Sequence, residues 1–397
     1  MFLRQRPQLA LLSLAQALYW SCSIIGIALT GLVGQKLTPW PLLATLPLTL
    51  LVAGNLLAVG TLARWTQQIG RARALQRGAL LGVAAGLLAA AALAASSFGL
   101  FCLAMLMLGG YQASSGFYRF AALDGVPAEQ KGSAAAWVLA GGILAALLAP
   151  SLALHTTHWL QTPMQGAYLA IAALAAIAWL LLHGLPPAAT GKATSAQTTL
   201  TSSLSEQRRT LWARPAIRQA IVLTACAHGL MILAMNATPL AMHAQGHELA
   251  HSTQVIQWHV LGMFLPSLIA GRAIDKLGCQ KIACLGLALL LASALWALSG
   301  VAVAQFLYSS LLLGAGWNLL MLAGTTMLSQ ACATHEQTVA QPLMEWSNSA
   351  VAAVMSFSCG VLVQTLGWFA INSAMLLTLI GLAAWLHRNA SRRNAST

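Results

Sequence analysis

Long apolar stretches recur along the chain and are separated by short polar segments. Twelve of them reach about 18 residues or more, the length that a helix needs to cross the hydrocarbon core of a bilayer. They fall at 8–32, 38–60, 76–96, 98–122, 133–154, 164–184, 215–243, 253–271, 281–300, 302–330, 342–365 and 369–387. The pattern therefore predicts an all-α integral membrane protein with twelve transmembrane helices.

A polar segment divides these stretches into two sets of six. Residues 185–214 begin at a Pro-Pro pair, continue through Ala, Thr and Ser, and end in several arginines. This composition is typical of a flexible linker and not of a membrane span. We predict one six-helix bundle over 1–184, a cytoplasmic linker over 185–214, and a second six-helix bundle over 215–397 that ends in a short cytoplasmic tail.

Composition and charge support a membrane protein and orient it. Hydrophobic residues make up 58% of the chain and charged residues only 7%, whereas a soluble protein has about a quarter of its residues charged. The formal charge of +13 comes from bases grouped on one side of the predicted spans, with only Lys36 on the other. Basic loops stay in the cytoplasm. We therefore expect a bacterial inner-membrane protein with both termini cytoplasmic and no nucleic-acid partner.

Two short segments correspond between the halves. The segment after the eighth stretch places Gly271, Asp275 and Gly278 in the pattern G-x-x-x-D-K-x-G, and the segment after the second has Gln67 and Gly70 at the places of Asp275 and Gly278. In these residues the chain resembles the major facilitator superfamily. The resemblance implies two pseudo-symmetric six-helix bundles around a cavity that opens alternately to each side of the membrane, with a gate role for the second segment.

Methionine and histidine residues form two ladders in consecutive spans. Met231 and Met235 are four residues apart in the seventh, and His259 and Met263 are four apart in the eighth. Residues at this spacing share a helix face, and the two pairs lie at matched depths, roughly 9–10 Å and 15–16 Å from the outer helix ends. Thioether and imidazole ligands suit Cu(I). The ladders therefore predict a copper site.

With these motifs the chain is similar to the CcoA-like copper importers, a bacterial branch of the superfamily. The resemblance implies import of copper as the transported ion, with no permanently bound cofactor, for use in cytochrome oxidase assembly and with a cytoplasmic copper acceptor protein as a candidate partner. Soft or basic side chains in and beside the seventh span are candidate additional ligands: Cys226, His228, His243 and His247. The same motifs are associated with riboflavin uptake in related members, so they do not by themselves establish copper.

Two charged residues within or beside the spans are candidates for the inner gate. Arg119 lies toward the end of the fourth span and Glu345 opens the eleventh. Charge inside a membrane is costly and is usually functional. The chain contains neither a phosphate-binding loop nor a nucleophile elbow, so we do not expect an enzyme.

Two other cargo classes remain open. The first is riboflavin or a similar planar organic solute, for which aromatic and amide side chains would line the cavity. These are Tyr19, Trp20, Tyr111, Gln112, Asn236, Trp317 and Asn318. The second is a multidrug or metabolite exporter, in which the methionines would serve only as packing.

Overall fold

The structure of the protein is a computed structural model that describes residues 7–38, 40, 43–44, 46–186 and 204–394. Within these ranges the chain is almost entirely helical and contains no strand. The helices are α1 (Pro7–Leu37), α2 (Leu46–Ile69), α3 (Arg71–Ala94), α4 (Phe98–Gly116), α5 (Tyr118–Ala121), α6 (Lys131–Thr156), α7 (Gln165–Leu182), α8 (Leu204–Ala213), α9 (Pro215–Ala244), α10 (Leu249–Phe264), α11 (Ser267–Leu277), α12 (Cys279–Leu298), α13 (Val303–Ala331) and α14 (Gln337–Asn394).

The prediction of an all-α membrane fold is confirmed. Among the described residues, 11 helical segments are long and apolar enough to cross a membrane. The eighth predicted span, 253–271, is absent from this set because it is divided into α10 and α11, each shorter than 18 residues. Pro266 lies at the break, where its ring nitrogen has no hydrogen to donate to the preceding turn. α14 contains two spans and is interrupted at Gly367, whose φ is 76°.

The second span lies further along the chain than its hydrophobic pattern predicts. The apolar stretch covers 38–60, whereas α2 covers Leu46–Ile69. Pro47 stands in the first turn, the part of a helix that tolerates proline. At the other end the helix continues through Gln67 and Gln68, because a polar side chain does not stop a helix that has left the hydrocarbon region. Hydropathy therefore indicates depth in the bilayer better than it indicates helix ends.

Single glycines join consecutive helices at the two places where the sequence predicts gate loops. Gly70 connects α2 to α3 with φ 85° and ψ 156°, and Gly278 connects α11 to α12 with φ 86° and ψ 154°. Residues with a side chain rarely adopt this positive φ, whereas glycine adopts it readily. The same backbone joint thus occurs at corresponding places in the two halves of the chain, which agrees with the internal similarity of the two segments.

The described chain divides into two compact units. The first consists of Met1–Gly125 and Trp137–Ser203, and the second of Val126–Ala136 and Leu204–Thr397. The boundary differs from the predicted one at 126–136, which clusters with the second unit. In the predicted linker, 204–213 forms the helix α8, and 187–203 lies outside the described residues.

Small residues allow close helix packing in the first unit. Gly54 of α2 and Gly109 of α4 face each other's helices: a methyl group on Gly54 would collide with the carbonyl oxygen of Leu106, and one on Gly109 would collide with that of Leu51 and lie 2.6 Å from the amide nitrogen of Asn55. In a membrane, association between helices depends on such close contact because lipid tails are as apolar as the side chains. The pair fixes the distance between α2 and α4.

In the second unit, α13 is the helix around which the others pack. It is the most buried of the candidate spans and packs against α9, α10 and α12, while α9 also packs against the first half of α14. The contact of α10 with α9 is much smaller than its contact with α13. The side chains of α10 that face inward therefore meet α13.

The glycine pair gives a test of this packing. We expect Gly109→Ala to destabilise the protein by about 1–3 kcal/mol, the usual cost of forcing extra atoms into a packed site. Gly60→Ala is the matched control, since Gly60 is also helical and its added methyl group would meet nothing within 4 Å. It should stabilise the protein by about 0.5–1 kcal/mol. Thermal unfolding of both variants in nanodiscs measures the difference, and equal midpoints would contradict the packing.

Candidate functional site

The four predicted metal ligands lie on α9 and α10 of the second unit. Met231 and Met235 share one face of α9; the first is 1% exposed and the second is half-buried. His259 and Met263 share one face of α10, and both are buried. The ladders therefore exist as helix faces, but burial and the identity of the neighbouring helix decide what those faces meet.

The α10 ladder packs into a seam with α13. Nδ1 of His259 donates a hydrogen bond of 2.9 Å to the carbonyl oxygen of Ser310. The amide nitrogen of Asn318 donates to the carbonyl oxygen of Met263 at 2.6 Å and to the hydroxyl of Ser267 at 2.7 Å. Asn318, predicted to line a cavity, therefore bridges the break before α11 from the fully buried interior of α13. His259 and Met263 are thus buried in this seam, and Nε2 of His259 has no hydrogen-bonding partner among the described residues.

The histidines at and just after the C-terminal end of α9 do not gather into a ligand cluster. Nε2 of His247 donates to the carbonyl oxygen of Val301 at 2.7 Å, and its ring packs edge-on against Phe306. His243 is exposed and Cys226 is half-buried. In the part of the chain that the structure describes, no group of three or more His, Cys, Asp or Glu side chains is placed to hold a metal ion.

His228 has a defined partner on α13. The indole nitrogen of Trp317 donates to Nδ1 of His228 at 3.1 Å, and the two ring centroids are 6.0 Å apart. Because Nδ1 accepts this hydrogen bond, the proton of the neutral imidazole is on Nε2. Trp317 is buried whereas His228 is half-buried. The buried indole of Trp317 thus fixes the orientation of the His228 ring, which is more exposed than the indole.

Polar side chains on the first half of α14 extend this face of the second unit. Asn236 of α9 donates to the hydroxyl of Ser356 at 3.3 Å. Glu345, the predicted gate acid, is buried. Three residues further along, Asn348 is 3% exposed, and its amide has no hydrogen-bonding partner among the described residues. Sequence reasoning missed Asn348, although a polar residue inside an apolar span is the signal that could have identified it.

The first unit contains an aromatic cluster built from α1 and α4. Tyr19 makes edge-on contacts with Trp20 and with Tyr111, each with 5.4 Å between ring centroids. With its amide oriented so that the oxygen faces the indole, Gln16 accepts from the indole nitrogen of Trp20 at 2.7 Å and donates to the carbonyl oxygen of Ser115 at 3.3 Å. Tyr19 and Tyr111 are buried, whereas Trp20 is half-buried. The buried tyrosines therefore hold a partly open indole.

Two more predicted residues lie on the same helices or just beyond them. Gln112 follows Tyr111 on α4 and is half-buried. Arg119 on α5 is 8% exposed, and its guanidinium lies over the ring of Phe120 at 5.0 Å. The long side chain of Arg119 is thus packed against an aromatic face, an arrangement that lowers the cost of a charge in an apolar environment.

The predicted gate residues surround the N-terminus of α6, within the second unit. The carboxylate of Asp275 accepts hydrogen bonds from the backbone nitrogens of Gly132 at 2.9 Å and Ser133 at 3.0 Å, and also from the hydroxyl of Ser133. A carboxylate is favoured here because the first backbone N–H groups of a helix have no partner within the helix and carry its positive dipole end. Gly271 lies directly against Ser133, and Gly278 ends α11.

No protein-family profile matches the chain, but whole-length relatives do. It is 38% identical over 370 residues to the riboflavin transporter RfnT of Brucella anthropi, which covers 92% of both chains. It is 28% identical over 317 residues to the uncharacterised MFS-type transporter YddS of Bacillus subtilis, covering 76% of this chain and 72% of that protein. Both relatives are transporters, and the expectation that the chain is not an enzyme is confirmed.

The prediction of a copper importer is wrong. The relative with 38% identity is a riboflavin transporter, and it is this likeness that overturns the copper prediction. Spacing along a helix identifies a face but not what that face binds: Nδ1 of His259 donates to the carbonyl oxygen of Ser310 on α13, and its Nε2 has no hydrogen-bonding partner among the described residues. Copper as the cargo, a cytoplasmic copper acceptor and a role in cytochrome oxidase assembly therefore lose their support.

The fold itself has close counterparts among solved structures. The major facilitator superfamily transporter FucP, in its outward conformation, superimposes with a TM-score of 0.78 over 97% of this chain and 98% of its own, at 13% identity. At that identity the likeness concerns the fold alone. Together with the relative that is 38% identical across nearly the whole length, it shows that the chain belongs to the major facilitator superfamily.

Proposed function

We propose that this chain imports riboflavin, or a planar organic solute of similar chemistry, across a bacterial inner membrane. The observation that carries the proposal is the identity of 38% over 92% of both chains with a riboflavin transporter. Identity on that scale extends through both units and is not confined to a short motif. The sequence analysis left this cargo open as an alternative, because aromatic and amide residues occur in both halves of the chain.

The chemistry of the second unit supports such a cargo. Riboflavin has a flat, largely aromatic ring system with hydrogen-bonding groups along one edge. The half-buried imidazole of His228 is held by Trp317 at 3.1 Å and carries its proton on Nε2, so it can donate to a carbonyl of the solute. Asn236 on the same helix adds an amide at a half-buried position. We propose that these two side chains contact the solute and that Trp317 orients the first of them.

The first unit supports the same proposal through its aromatic cluster. Trp20 is half-buried and is held by Tyr19 and Gln16, so its indole is preorganised as a stacking surface. Aromatic pairs contribute about 0.5–1.5 kcal/mol beyond the burial of their area. Gln112 stands at a half-buried position on α4 and offers both a donor and an acceptor. We propose that Trp20 stacks on the ring system and Gln112 contacts its edge.

We further propose that the contact between Asp275 and the N-terminus of α6 is part of the gate. Asp275 satisfies two backbone N–H groups and one hydroxyl at once, so releasing it requires these donors to find water. The contact is stable while water is excluded, and the carboxylate can leave the backbone N–H groups when water molecules replace it as their hydrogen-bonding partners. This behaviour is what a gate that opens once in each transport cycle needs.

The cargo can be tested directly by uptake. Cells that lack their own riboflavin uptake and express this chain should accumulate radiolabelled riboflavin above the vector control, and unlabelled riboflavin should compete. In parallel assays, accumulation of radioactive copper should stay at the level of the vector. Accumulation of copper without riboflavin, at confirmed expression, would contradict the proposal.

Two substitutions separate solute-binding side chains from packing side chains. We expect Trp20→Leu to raise the riboflavin concentration for half-maximal uptake by about three- to tenfold through loss of the aromatic face. Met263→Leu should leave uptake close to normal, because the thioether is buried and leucine has a similar volume. Trp159→Leu is the matched control for tryptophan removal, since Trp159 is 65% exposed. A larger loss from Met263→Leu than from Trp20→Leu would overturn the assignment.

The proposed orientation places both termini in the cytoplasm, as the distribution of basic residues predicts. In intact cells, epitope tags at either terminus should be inaccessible to antibody until the membrane is permeabilised. A cysteine introduced as His243→Cys, at the exposed outer end of α9, should react with an impermeant maleimide without permeabilisation. Labelling of a terminal tag in sealed cells would show the opposite orientation.

A further inference from the structure

Helix α8 has two distinct faces. Leu211 is 4% exposed and Gln207, one turn earlier, is half-buried, so this side faces the protein. Arg208, Arg209 and Trp212 are exposed, and Trp212 presents 42% of its surface. Since Arg208 and Trp212 are four residues apart, they share one face of the helix. α8 therefore presents an outward face that combines guanidinium groups with an indole.

An ion pair fixes the end of α8 to the rest of the second unit. The guanidinium of Arg214, just after α8, contacts both carboxylate oxygens of Glu336, one of them at 2.8 Å. Glu336 also accepts from the backbone nitrogen of Ala333 at 2.9 Å. The hydrogen bonds from Arg214 hold the pKa of Glu336 below its ordinary value, so the pair stays charged at neutral pH. The outward face of α8 is consequently held in one orientation.

The position of α8 along the membrane normal follows from α9. α9 has 30 residues and a length of about 45 Å, compared with about 30 Å for the hydrocarbon core and 40–45 Å for the bilayer with its headgroups. Its first residue, Pro215, therefore lies at the level of the headgroups, and Trp212 precedes it by three residues. Tryptophan and arginine are the side chains that this interfacial layer favours.

Other exposed bases lie at the same level. The amide of Gln219 in the second turn of α9 donates to that of Gln280 in the first turn of α12 at 2.9 Å, so these two helices begin within about one turn of each other in depth. Lys276 and Lys281 flank that start and are exposed. On α8 itself, Glu206 is the only acid. The charge at this level is predominantly positive.

We propose that the outward face of α8, formed by Arg208, Arg209 and Trp212, binds the headgroups of anionic phospholipids. The guanidinium groups pair with the phosphates, and the indole lies at the boundary between headgroups and acyl chains. α8 would then be an interfacial helix that attaches the start of the second unit to the membrane surface. This binding is independent of the cargo that the protein carries.

The experiment measures lipid retention on the purified full chain by native mass spectrometry, with phosphatidylglycerol and phosphatidylcholine titrated separately. Each basic residue near an anionic surface contributes about fivefold in affinity, which corresponds to about 1 kcal/mol. We expect the double variant Arg208→Gln/Arg209→Gln to lose at least fivefold in affinity for phosphatidylglycerol and to bind phosphatidylcholine as the parent does. Trp212→Ala should cause a smaller loss.

The matched control is Arg64→Gln/Arg73→Gln, which removes the same charge from two exposed positions of the first unit. This pair measures the general attraction of the basic surface, so it should lose clearly less affinity for phosphatidylglycerol than the α8 pair. Unchanged affinity in the α8 double variant, an equal loss in the control pair, or equal affinity of the parent for the two lipids would each overturn the proposal. Circular dichroism of each variant checks that the helices persist.

Discussion

A backbone in hydrocarbon has no water to satisfy its polar groups, so each N–H and C=O must find a partner within the protein. This constraint makes the described chain helical almost throughout and determines where its polar side chains are used. Asn318 supplies a donor to the carbonyl oxygen of Met263, where Pro266 interrupts the hydrogen-bond ladder. Asp275 supplies acceptors to the free N–H groups at the start of α6. Polar residues thus appear where a helix breaks or begins.

The same constraint bears on how the histidine and methionine ladders are interpreted. A histidine inside a span has a strong reason to be there, and coordination of a soft metal ion is one such reason. Pairing with a main-chain carbonyl is another, and His259 meets Ser310 in this way. The methionine that follows it one turn later is buried in the same α10–α13 seam. The bond from Nδ1 is compatible with both explanations, because a metal-bound histidine also donates its other ring N–H to a carbonyl, and Nε2 of His259 has no partner among the described residues. The cargo is therefore argued from the riboflavin transporter that resembles the whole chain.

Internal symmetry is preserved in the backbone more than in the side chains. Gly70 and Gly278 join helices with nearly identical positive φ angles, because no residue with a side chain adopts that joint without strain. The acid that accompanies the glycine is present only in the second copy, as Asp275, whereas the first copy has Gln67. In the second copy this carboxylate accepts hydrogen bonds from the backbone nitrogens at the start of α6.

The sequence by itself determined the class of fold and the number and approximate positions of the spans, because the length of an apolar stretch is dictated by the thickness of the bilayer. It also identified the glycine joints, Asp275, and the aromatic and amide residues of both halves. Tertiary structure decided that α10 ends at Pro266, that His259 faces α13 and that Trp317 supports His228. These outcomes depend on which helices are neighbours and on the rotation of each about its axis. Periodicity along one helix carries information about its own faces, and the partner of each face is set only when the helices pack.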